Sequence, residues 1–117
     1  MITGIELVFN SDELLSIEKT RDQIVYLTEK AVAIASSHPQ AEEFFEVLPV
    51  PAELFRIAII GIRPKPEDRE HLHSAGIMEG LISYSVVTPD PRWSNLIDVH
   101  EETFEEARAI VRGGKPS

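Results

Sequence analysis

Three cations gather around one stiff turn: Arg63-Pro64-Lys65-Pro66, with Arg69 one helical turn further on. A strand leading into such a turn and a helix leaving it would let free amides and cationic side chains converge on an anion, as helix N-termini do for phosphate. Gly61 is the only glycine nearby, and neither a phosphate-binding loop nor a dinucleotide fingerprint is present. Pro66 also removes one of the amides that such a site would use. A binding protein or enzyme that holds an anionic small molecule with Arg63, Lys65 and Arg69, and with His71 or His73 beside it, is therefore the alternative reading of this chain and not the favoured one.

Glu70-His71-Leu72-His73 follows directly. Two histidines two positions apart share one side of a strand, but on a helix they diverge by about 160°. The stretch reads as helix, which argues against a shared metal ion, and no spacing supplies a third ligand. Asp98, His100 and Glu101, with Ser94 upstream, contain the residue types of a hydrolytic triad. Ser94 has no glycine neighbour to form a strained elbow, and Asp98 with Glu101 matches a capping box instead. The sequence thus points to no catalytic residue, no metal and no cofactor.

The strongest remaining pattern is acidic. Glu42, Glu43, Glu46 and Glu53 form one run, and Asp98, Glu101, Glu102, Glu105 and Glu106 form another, neither interrupted by a basic residue. Each can be a solvated helix face. If the two adjoin in space they make a surface suited to a basic partner. Phe44, Phe45 and Trp93 lie close to these runs, and an exposed aromatic beside an acidic rim is the composition of an interface anchor.

The elements that must position these residues can be read from periodicity. Residues 5–9 form a short strand. Asn10 and Glu13 have capping-box spacing, and Phe9 with Leu14 fits a hydrophobic staple. The helix so started runs to about Ser36, with Leu14, Ile17, Ile24, Leu27, Ala31 and Ile34 on its buried face, and His38-Pro39 ends it. A short helix covers Ala41 to Val47 with Phe44, Phe45 and Leu48 turned inward. Leu54 to Ile62 reads as a strand buried on both faces, with a buried helix from Pro51 as the alternative. Pro66 opens a helix that runs to Ala75 and closes at Gly76. Leu81 to Thr88 is a half-buried strand, Leu96 to Val99 a short edge strand, and His100 to Arg112 a final helix with Phe104, Ala107 and Val111 inward.

These elements fit a single α+β domain over residues 1–117: a small sheet of three to four strands, with the long N-terminal helix and the C-terminal helix packed on it. A mostly α arrangement is the alternative. At 117 residues, 43% of them hydrophobic, the chain can bury a core without staples, and it has no cysteine, which suits a reducing compartment. The N-terminus lacks the basic-then-apolar pattern of a secretory signal, and no apolar stretch approaches the length of a membrane span. Twenty acidic against eleven basic residues leave a net charge of −9, which disfavours nucleic acid. The expectation is a small acidic cytoplasmic protein, non-enzymatic and regulatory. It would act through contacts with a protein partner of basic character and as a homo-oligomer, without nucleic acid or membrane.

Overall fold

The computed structural model describes Ile2 and residues 4–61, 71–87 and 96–113. The cationic turn from Arg63 to Arg69, together with Trp93 and Ser94, lies outside the described residues.

The first strand, β1 (Ile5–Asn10), takes up Asn10 as its last residue, so Asn10 does not cap a helix. The chain first makes a further turn in which the Ser11 hydroxyl accepts from the Glu13 amide at 3.2 Å. Leu15 is completely buried and pairs with Leu72 in an isolated antiparallel bridge. Only then does α1 (Ile17–Ser36) begin, with Ser16 as N-cap accepting from the Lys19 amide. Both Asn10 and Ser16 are good capping residues, and the burial of Leu15 between them selects the second.

Helix α1 buries Thr20, Ile24, Val25 and Thr28, and half-buries Ile17, Leu27 and Ala31. Ile34, expected on that face, is 62% exposed. Thr20 sits in the interior because its hydroxyl donates back to the Ser16 carbonyl at 2.7 Å, satisfying the polar group. The second helix, α2 (Ala41–Phe44), is a single turn and does not reach Val47. Phe45 leaves it in extended conformation. Phe45 is 6% exposed, while Phe44 and Leu48, expected inside, are each 41% exposed.

A 3-10 turn at Ala52–Leu54 leads into β2 (Phe55–Ile60), which rules out the buried-helix alternative. Of the helix expected from Pro66 to Ala75, residues 66–70 lie outside the described residues, 71–73 are not helical and β3 (Ser74–Met78) begins at Ser74, so Gly76 lies inside a strand and closes nothing. A Cβ there would stand 3.2 Å from the Ile57 carbonyl oxygen, so glycine serves a close backbone approach. Glu79 and Gly80, with φ of 52° and 80°, form the tight turn to β4 (Leu81–Val87). The last strand, β5 (Leu96–Thr103), is twice the expected length, and α3 (Phe104–Arg112) starts only after it. Its cap is Thr103 in a reciprocal box with Glu106, displacing the expected pair of Asp98 and Glu101.

The sheet has five strands in the order β1-β2-β3-β4-β5. The crossover through α1 makes β1 parallel to β2, and the remaining neighbours are antiparallel. The fold is α+β, with one strand more than the upper expectation. Phe55, Ile57, Ile59, Ala75, Ile77, Ile82 and Tyr84 join Ile24, Val25, Phe104 and Ala107 in one core. Phe104 and Ala107 are inward as expected, while Val111 is exposed. The opposite face carries Arg56, Ala58, Ile60, Ser74, Gly76, Met78, Leu81, Ser83 and Ser85 by strand alternation. No described helix or strand lies over it, so β2 is buried on one face only. No described helix is long and apolar enough to cross a membrane.

Candidate functional site

The densest polar cluster lies in the interior, between α1, β4 and β5. Arg21 reaches down from α1 and donates through Nε and Nη2 to the two carboxylate oxygens of Glu102, both at 2.8 Å. The Tyr84 hydroxyl donates to Glu102 Oε2 at 2.7 Å, and His100 Nε2 lies 3.0 Å from Oε1. The imidazole is tilted over the Tyr84 ring, with centroids 5.5 Å apart. Burial alone would raise the Glu102 pKa. The hydrogen bonds from Arg21, Tyr84 and His100 outweigh burial and hold the carboxyl down at about 2. Burial and the neighbouring carboxylate push the Tyr84 phenol upward. With four contacts from three partners Glu102 has filled its acceptor sites and has none left for a metal. The cluster is a clamp that ties α1 to the sheet. The sequence offered no signal for it, because Arg21 and Glu102 are 81 positions apart.

Ser94 lies outside the described residues, and the other triad residue types are engaged separately around this clamp. Asp98 accepts from the Ser85 hydroxyl at 2.7 Å, while His100 is engaged by Glu102. His71 and His73 flank the bridging residue Leu72, just before β3, on a stretch that is not helical. No three histidines, aspartates or glutamates among the described residues are grouped to hold a metal. The ligand-binding residues Arg63, Lys65 and Arg69 fall outside the described residues, and so does Trp93.

The acidic runs give a different result. Glu42, Glu43, Glu46 and Glu53 are all exposed, as are Asp98, Glu101, Glu105 and Glu106. Glu102 is withdrawn into the clamp and Phe45 into the core, so neither belongs to an accessible surface. Phe44 stays exposed, with the edge of the His38 ring against it. One acid of each run, Glu53 and Glu105, lines the same groove beside α1 and α3, while Asp98 and Glu101 pair with Ser85 and Ser83 on the opposite face of the sheet. Gly80 accepts from the Phe104 amide at 2.8 Å, and a Cβ on Gly80 would touch the Glu53 side chain at 3.4 Å.

Between the runs lies a groove of about 440 Å3 lined by α1, α3 and the segment 49–53. Val32, Ala33, Val50, Ala52 and Phe104 supply its apolar surface, and Glu29, Glu53 and Glu105 its acids. Arg108, the one cation in the lining, is bound to Glu105 at 2.6 Å and stacks over the Phe104 ring. Glu29 is paired with Arg112. Glu53 makes no ion pair with a described residue.

The open face of the sheet holds a second depression, a trough of about 410 Å3. Its floor is low because Ala58, Gly76 and Ser83 stand side by side across three strands. Met78, Leu81 and Leu96 stand higher around it, and Glu6 and Arg56 close one end.

The chain matches no protein-family model, no curated protein and no solved structure.

Proposed function

We propose that this chain is a non-enzymatic binding protein that works through contacts with a basic protein partner. The observation that carries the reading is an apolar groove between α1 and α3 rimmed by Glu29, Glu53 and Glu105, the last two drawn from different acidic runs. Apolar floor supplies affinity through burial, while a rim of one charge sign steers and selects the partner. Glu42, Glu43 and Glu46, with Phe44 among them, are exposed as well and add to the acidic surface of the chain. The net charge of −9 adds long-range attraction for a cationic protein and repels nucleic acid.

The arrangement of Arg108 and Arg112 fits this role. Each is tied to a glutamate beside the groove, so neither opposes an incoming cation as a free charge. Affinity purification from the native host tests the reading, using the wild-type chain and Ala33→Arg. Ala33 is exposed on α1 and lines the groove, so arginine there adds bulk and a positive charge without entering the core. A basic protein should be retained by the wild type at low salt, released as salt rises, and absent with the variant. Retention of the same proteins by both chains contradicts the proposal.

A further inference from the structure

Glu6 and Arg56 are direct register partners on β1 and β2, so their side chains leave the same face of the sheet at neighbouring positions. Adjacent strands are about 4.8 Å apart, a spacing at which an acid and a base readily join. Here they do not. Neither makes an ion pair or a side-chain hydrogen bond with a described residue, and both are exposed. Both line the end of the trough on the open sheet face, whose remaining walls are mainly apolar.

A free carboxylate beside a free guanidinium, at the mouth of an apolar depression, is complementary to a zwitterion with an apolar tail. We infer that the trough binds an apolar α-amino acid. The substrate carboxylate meets Arg56 and its ammonium meets Glu6. The apolar side chain lies over Ala58 and Gly76, against Met78 and Leu81. The volume is that of a small-molecule site, and its two charged groups stand at one end, where they set orientation. Glu53 and Glu79 line an adjoining hollow on the other side of Glu6 and Arg56. The ammonium therefore has further carboxylates near it, while among the described lining residues Arg56 is the one cation for the carboxylate. This makes Arg56 the residue on which recognition of the acid group depends. Ser74, Ser85 and His73 line the far end, away from the charges. This site is separate from the acidic groove and stands or falls independently of it.

Binding of L-phenylalanine, hydrocinnamate, phenethylamine and glycine, followed by NMR titration, separates the three components. Hydrocinnamate lacks the ammonium, phenethylamine lacks the carboxylate, and glycine lacks the tail. L-Phenylalanine should bind tightest, each single-charge analogue about threefold or more weaker, and glycine weakest. Arg56→Gln should bring L-phenylalanine down to the level of phenethylamine, and Glu6→Gln to that of hydrocinnamate. Both positions are at the surface, so both variants should fold. Ser83→Phe, which fills the floor, should abolish binding of all four while leaving the amide spectrum of the core intact. The inference is overturned if a single-charge analogue or glycine binds as well as L-phenylalanine. It is also overturned if Ser83→Phe leaves binding unchanged, or if sedimentation shows that a second copy covers this face and Ser83→Phe releases it.

Discussion

Glu102 and its three partners decide how α1 is held, and their chemistry makes the fold sensitive to acid. The folded carboxyl sits at about 2 against an ordinary value of 4.5, so the unfolded chain takes up the proton more readily. The stabilisation is complete above pH 4.5 and disappears as pH falls toward 2. A shift of that size corresponds to about 3 kcal/mol. Urea midpoints measured across this window should therefore drop for the wild type. Glu102→Gln should lower stability by about 3 kcal/mol at neutral pH, because Arg21 would be left against an uncharged partner in a largely buried site. The variant should also flatten the acid limb. An unchanged acid limb would show that Glu102 is not the group responsible. This residue was legible in the sequence only as one acid among five. A composition reading counts charge, whereas the clamp depends on β5 carrying Glu102 inward, opposite Ile82, across 18 positions from Tyr84.

Caps and turns govern the elements, and here the sequence contained more candidates than the fold uses. Thr103→Ala should cost about 1 kcal/mol in a thermal melt, since it breaks the reciprocal box with Glu106 at the start of α3. Asn10→Ala should cost no more than a few tenths of a kcal/mol, because Asn10 ends a strand. Equal effects at the two positions would contradict the observed helix starts. Gly80→Ala should destabilise by about 1 kcal/mol or more, as φ of 80° is strained for any side chain. The long helix to Ser36, the half-buried strand at 81–87 and the inward Phe104 and Ala107 were readable because their periodicity is sustained. The stretch at 70–76 was not. His71 to Gly76 has weak helical periodicity, and its strand character comes from pairing with β2 and β4, which only the tertiary structure supplies. The same limit applies to Phe44 and Phe45, whose burial depends on where a single helical turn stops.

At the scale of the whole molecule, charge and shape act together. Two acidic runs were visible in the sequence as separate stretches, but that Glu53 of one and Glu105 of the other line one groove follows from the chain path through α1, the Gly80 turn and α3. The sequence could not distinguish one acidic surface from two solvated helix faces, because that depends on contacts such as Gly80 with Phe104. The account's central claim is that this acidic, apolar-floored groove receives a basic partner. The most direct measurement is an NMR shift map of the full chain titrated with an amphipathic leucine–lysine peptide, with a leucine–glutamate peptide of the same pattern as control. Shifts from the lysine peptide should concentrate at Val32, Ala33, Val50, Ala52, Glu53 and Phe104, weaken as salt rises, and be absent with the glutamate peptide. Shifts elsewhere on the molecule, or equal response to both peptides, would contradict it.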